Sequence, residues 1–293
     1  DGCNGQNQGE FFKVTLTKFY KLAQPDGWDF RTGQTINYRE NIGKAVRVPR
    51  FDFPDEKRAL CTDTVLHASR TAIDALQYAK IPCSIYCVQG NPIVRDTDKF
   101  GFKELKVLEE VPPTEFDELL GFRYQEVLHP FDPRTIGRKE VGREELEELR
   151  AWASVWDSVR ASVWASVWDS VRASVRASVW ASVRASVWAS VRASVWASVW
   201  DSVRASVWDS VRASVRASEA AYIGSLFVGI KKWKYTEKLK VRGYPFQTCV
   251  DLIRKGLVPA TDGRGIWYLT HPIDGKPAEV VWKGVLSEEK ISA

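Results

Sequence analysis

"WASVWDSVRASVWASVWDSVRASVRASVWASV", residues 152–183, is a four-residue word repeated with little change, and it continues in the same manner to Ser218. Read from Trp152, each of the seventeen units is Trp or Arg, then Ala or Asp, then Ser, then Val; only the last, Arg216-Ala217-Ser218, lacks its valine. Four residues advance an α-helix by about 400°, so successive valines sit about 40° apart around its axis. Over about nine units the apolar stripe travels right round the helix, and supercoiling accommodates periods near 3.5 or 3.67, not 4. A flat strand fares no better. Alternation buries either Asp157, Asp169, Asp201 and Asp209 or the eight arginines of the array, at several kcal/mol for each stranded charge. If the constant Ser-Val pair faces inward and the variable positions face water, the chain must turn a corner in every unit. That geometry predicts a β-solenoid over residues 152–218.

On this reading the solenoid core is the thread Val155, Val159, Val163, Val167, Val171, Val175, Val179, Val183, Val187, Val191, Val195, Val199, Val203, Val207, Val211 and Val215. The outward face carries Trp152, Trp156, Trp164, Trp168, Trp180, Trp188, Trp196, Trp200 and Trp208. The Trp/Arg position repeats its identity three units apart in 9 of 14 comparisons and four apart in 5 of 13. The pattern therefore favours twelve residues per coil, with sixteen as the alternative. Trp and Arg codons can differ by one base, as can Ala and Asp codons, so a drifted tandem duplication yields this alphabet without selection on the surface. The functional alternative is a ladder of exposed cation–π contacts, worth about 0.5–1 kcal/mol each.

With one apolar and one small residue turned inward, the array resembles the pentapeptide-repeat solenoids, and more closely the tetrapeptide Ser-Val arrays of bacterial and phage-like sequences. The period of four departs from the pentapeptide family. The segment with "LHAS" followed by a short helix and "GFKELKVLEEVPP" resembles an uncharacterised domain of phage and bacterial proteins, over about residues 10–113. The resemblance implies an architecture and no activity.

The flanks read as an α+β N-terminal domain (1–142), a helical lead-in cap (143–151) and a small α+β C-terminal cap (219–293). "FFKVTLTKFYKL" (11–22), "TVLHAS" (64–69), "IPCSIYCVQG" (81–90) and "KELKVLEEV" (103–111) are strand-like, and "WDFRTGQTINY" (28–38) reads as a hairpin. Ser69 is placed to cap a helix over "RTAIDALQYA". "TEFDELLGF", "REELEELRAW" and "PFQTCVDLIRKGL" look helical, and "GIWYLTHPIDGKPAEVVWKG" is a hairpin.

Charge is spread thinly. Residues 1–151 carry 22 basic and 25 acidic groups, and the array and the C-terminal segment are each net +4. Such a balance predicts at most weak, salt-sensitive nucleic-acid binding. No apolar run reaches membrane-spanning length. Five cysteines without a dense framework point to reduced thiols and a cytoplasmic location, and the absence of any Met suggests a processed or truncated chain.

Cys61, His67, Cys83 and Cys87 have the types for zinc, but "CSIYC" has the wrong spacing, and no metal or cofactor is expected. His67, at a strand end before a hydroxyl and a helix, superficially resembles the entry of the ADP-ribosyltransferases. That resemblance implies NAD, with Glu109 or Glu110 as the partner carboxylate and Tyr86 as the middle tyrosine. Against it stands a histidine satisfied by backbone. The leading expectation is a non-enzymatic interaction protein, a capped solenoid rod that self-associates through its Trp/Arg face. The alternative is an NAD-dependent transferase domain on a solenoid spacer. A His67 side chain lining a cleft together with Glu109 or Glu110 would favour the second.

Overall fold

The computed structural model describes residues 17–31, 33–137, 139–159, 162–174, 183, 208–274 and 276–286. Two compact units result, residues 1–111 and 112–293.

In the first unit, β1 (Lys18–Ala23), β2 (Ala45–Arg47), β4 (Ser84–Gln89) and β7 (Glu104–Glu110) form an antiparallel sheet in the order β1-β4-β7-β2. A second antiparallel sheet takes β3 (Leu66–Ala68), β6 (Phe100–Phe102) and β5 (Pro92–Arg95) in that order. Tyr20 of β1 bridges to Ser69 just past β3. Alternation along β4 and β7 sends Tyr86, Val88, Leu105 and Val107 into a core with Phe19, Tyr38, Phe100 and Phe102. The short helix α1 (Ala72–Leu76) is capped not by Ser69 but by Thr71, whose Oγ1 accepts from the Asp74 N–H.

The second unit opens with α2 (Phe116–Leu120) and α3 (Tyr124–Leu128). It closes with α7 (Gln247–Arg254) and a three-stranded antiparallel sheet of β8 (Val258–Thr261), β9 (Ile266–Ile273) and β10 (Lys276–Val285). Between them lie α4 (Arg143–Val159), α5 (Ser162–Ser174) and α6 (Trp208–Ser225), which carry every described part of the array except the lone residue Val183. The expected β-solenoid is overturned: the described array is α-helical, and none of the three sheets contains a repeat residue.

The reason lies in length. A 40° drift per unit forbids one helix through seventeen units, but α5 is 13 residues long. Across three units the stripe drifts by only about 80°, inside the roughly 100° face that an ordinary amphipathic helix buries. Its buried residues are Val163, Ser166, Val167, Ser170 and Val171, spaced i, i+3, i+4, i+7, i+8. A Ser-Val pair every four residues writes that helical stripe.

The seven unit valines whose burial is described, Val155, Val159, Val163, Val167, Val171, Val183 and Val215, are all buried, in no case along a solenoid axis. Val175, Val179, Val187, Val191, Val195, Val199 and Val203 lie outside the described residues, as do Val207, Trp180, Trp188, Trp196 and Trp200; of the Val211 and Trp208 side chains nothing is described. Trp152, placed outward from the sequence, is fully buried. It falls three residues after Leu149 on the inward stripe of α4, which runs unbroken from the lead-in into the array, and it packs edge-on against Phe246. Trp156 and Trp168 are half-buried, and Trp164 is 40% exposed.

The serines of the word have a second task. Ser166 Oγ donates to the Lys234 carbonyl, while Ser170 Oγ accepts from the Lys234 N–H at 2.8 Å. On α6, Ser214 Oγ accepts from Thr261 N–H at 3.1 Å and Ser218 Oγ donates to the Pro259 carbonyl at 3.2 Å. Each pair, four residues apart on one helix face, grips both a donor and an acceptor of a neighbouring backbone. One clamp holds the 226–246 segment and the other holds β8. Gly224 completes the packing on α6, because a Cβ there would collide with the Tyr244 hydroxyl. That hydroxyl donates to the Ala221 carbonyl.

Candidate functional site

The four residues singled out for chemistry do not assemble. Tyr86 and Glu110 are register partners on β4 and β7. Glu110 is held in a two-point ion pair by Arg39, with Nε–Oε2 2.9 Å and Nη2–Oε1 2.7 Å. The Arg39 guanidinium keeps the Glu110 carboxyl below the usual carboxylate range. Burial, and then the Glu110 charge, push the Tyr86 hydroxyl up. Glu109 is exposed beside Lys18. His67 lies on β3, in the other sheet, where it lines a cavity of about 110 Å³ that includes neither Tyr86, Glu109 nor Glu110.

That cavity lies in the first unit and gathers charged side chains. Its walls come from β1, the 29–31 loop, β3, α1 and Lys99 ahead of β6. The His67 ring accepts the Cys61 N–H at Nε2, 3.0 Å, so a neutral ring carries its proton on Nδ1. Burial, and then the charges of Lys99, Lys21 and Arg31, hold the imidazole down at about 3. It is therefore uncharged at neutral pH, and its one basic nitrogen is already occupied. A general base needs a lone pair directed at substrate, and His67 has none to offer.

The neighbouring charges are unevenly answered. Lys21 and Asp29 form a pair at 2.5 Å with both side chains largely buried. Lys99 is only 8% exposed, yet its ammonium donates to Cys61 Sγ at 3.3 Å and sits 4.0 Å from the Tyr78 ring centre. Cys61 itself is exposed and has φ +64°, a left-handed conformation uncommon for a residue with a side chain. Sequence reading found His67 but missed Lys21, Arg31 and Lys99, because nothing in their spacing marks them; strand pairing and the returns of the loops gather them.

Cys83 and Cys87 are buried, and burial pushes the Cys87 thiol up. Among the described residues no group of three His, Cys, Asp or Glu is placed to hold a metal ion, and no helix is long and apolar enough to cross a membrane.

In the second unit the exposed indole of Trp164 stacks on Trp168, centroids 4.9 Å apart and planes 12° from parallel. The two border a small groove between α5 and α6 with Val167, Arg216, Glu219, Ala220 and Ile223.

No protein-family model, curated protein or solved structure matches the chain. With the described part of the repeat helical, the resemblances to solenoid families and to a phage-type N-terminal domain find no support.

Proposed function

We propose that this chain is a non-enzymatic interaction protein that associates with a second copy of itself through the Trp164–Trp168 face of its repeat helices. The observation that carries the reading is the parallel indole stack with Trp164 40% exposed beside an apolar groove. Trp and Arg are the residue types enriched at binding hot spots. A patch bearing both indole faces and its own exposed guanidinium, Arg216, is complementary to itself, as two-fold pairing requires. Against catalysis stand the occupied Nε2 of His67 and the separation of that ring's cavity from Glu109 and Glu110.

Light scattering on the full chain over a wide concentration range tests the reading. A concentration-dependent dimer that Trp164→Arg converts to monomer supports it. A strict monomer at high concentration overturns it. Nucleic acid is the second reading, favoured by the exposed Arg172, Arg212 and Arg216. Binding of a single-stranded oligonucleotide at low salt, lost by about 200 mM, would favour it over self-association.

A further inference from the structure

The cavity beside His67 is built from donors. Three cations, Lys21, Arg31 and Lys99, and one carboxylate, Asp29, contribute to its lining. Asp29 is already engaged: it pairs with Lys21 and accepts the Arg31 backbone N–H at 2.9 Å. The positive charge left over belongs to Arg31 and Lys99. Among the described residues neither forms an ion pair: the Arg31 guanidinium donates to the Thr62 carbonyl at 3.2 Å, and Lys99 has only a thiol sulfur and an aromatic face.

A buried ammonium with such weak partners is costly to the fold. Groups of this kind collect at binding sites, where a ligand completes them. His67 adds a further donor. With Nε2 engaged by the Cys61 N–H, its remaining polar atom is Nδ1–H. The strained Cys61 backbone, at φ +64°, is what delivers that N–H to the ring, and strain of this kind persists where the surroundings over-determine it.

Two surplus positive charges and a set of donors, with the one acceptor spent, call for an anion carrying close to two negative charges and several acceptor oxygens. A carboxylate brings one charge. A phosphate monoester brings about −1.5 to −2 at neutral pH and three acceptor oxygens. Size agrees: about 110 Å³ suits a phosphoryl group and is small beside the roughly 300–1,000 Å³ of pockets that enclose a whole cofactor. We propose that this cavity binds the phosphoryl group of a small phosphate monoester, with Lys99 beneath it, Arg31 at the mouth and the His67 Nδ1–H as a donor. The organic remainder projects outward past Arg31 and Tyr78, both exposed. The site lies in the first unit and is independent of self-association through the repeat helices.

Calorimetry and phosphorus NMR line broadening on the full chain test the assignment, with ribose 5-phosphate, inorganic phosphate and acetate at matched low ionic strength. The expected result is saturable binding of the ester, at least as tight as inorganic phosphate and at least tenfold tighter than acetate. Lys99→Met should weaken it tenfold or more and Arg31→Gln severalfold, while Trp164→Arg leaves it unchanged. Arg31 is exposed, so its variant keeps the fold and decides the matter even if Lys99→Met does not fold. No saturable signal, or equal binding by parent and Arg31→Gln, overturns the proposal. Acetate binding as tightly as the ester, or inorganic phosphate binding with the ester excluded, overturns the ligand class.

Discussion

In α5 and α6 the four buried serines, Ser166, Ser170, Ser214 and Ser218, each reach a backbone group of a neighbouring segment. Around the His67 cavity of the first unit, Lys99 is as deeply buried as many core residues but meets only sulfur and an aromatic ring. Satisfied polar groups fix packing, and a half-satisfied one costs stability unless something else completes it. In the described repeat helices these four serines are answered within the fold, whereas the proposed phosphoryl site holds a cation that the fold answers only weakly. A repeated word can supply a repeated contact, but a site needs different side chains brought from different elements.

The sharpest way to break that contrast is to exchange letters of the repeat alphabet. Trp152→Arg places a charge at a fully buried position against Phe246. A loss of about 3–5 kcal/mol or more is expected, the scale of deleting a buried Trp with a stranded charge added. Urea denaturation monitored by circular dichroism checks it. A near-neutral result would mean that Trp152 is not part of the core, and the helical stripe through Leu149 and Trp152 would be wrong.

The next effect belongs to the first unit. The His67 imidazole sits at about 3 when folded, against 6.5 ordinarily, pushed down by burial and then by Lys99, Lys21 and Arg31, with Asp29 opposing. Between those values the unfolded chain takes up a proton that the folded chain does not. This contribution is therefore flat above about pH 7, and stability falls as pH drops from about 6.5 towards 3. The loss through this one group reaches about 2 kcal/mol at pH 5. Denaturation at pH 5 and pH 7.5 should show that difference shrink in His67→Gln. An unchanged pH dependence would place the ring in water.

How much of this was legible in the sequence follows from the same physics. The strand segments around residues 18–23, 84–89 and 104–110 and the hairpin of β9 and β10 announce themselves by alternation and turn residues. The array misled because rotation per unit was summed over all seventeen units. Within the 13 residues of α5 the same four-residue spacing lays Ser and Val on one helical face. The inward stripe also need not fall on the same letter everywhere: Trp152 is buried in α4, whereas Ser166 and Val167 are buried in α5. That phase is set by Leu149 and the rest of the lead-in. His67 was visible as an isolated histidine at a strand end, but its setting was not. Lys21, Arg31 and Lys99 come from β1, a loop and the approach to β6, and it is the bridge from Tyr20 of β1 to Ser69 and the pairing of β3 with β6 that gather the strands they sit on.

A smaller effect tests the serine clamps. Ser170→Ala deprives the part-buried Lys234 N–H of its 2.8 Å acceptor, which should cost about 0.5–1.5 kcal/mol, the net worth of an ordinary hydrogen bond. Ser154→Ala on α4, where the serine is exposed, should change stability by less than about 0.5 kcal/mol. Measured together by urea denaturation, the two separate a backbone clamp from a mere preference for small residues. Equal costs would remove the clamp from the account.

The smallest expected change in stability is the one that most sharpens the contrast between the two regions. Lys99→Met removes an ammonium that is 8% exposed and retains a chain of similar length. Two terms oppose. The cation–π contact with Tyr78, at 4.0 Å, is lost at about 0.5–2 kcal/mol. The desolvation cost of a buried charge that lacks a carboxylate is relieved, by an amount of the same order or larger. The net should lie within about 1 kcal/mol of the parent protein. Thermal unfolding without any phosphate present measures it. A loss of several kcal/mol would show that Lys99 supports the fold in the way Ser166 and Ser170 do, and the contrast between four answered serines and one weakly answered ammonium would fail at the residue on which it depends.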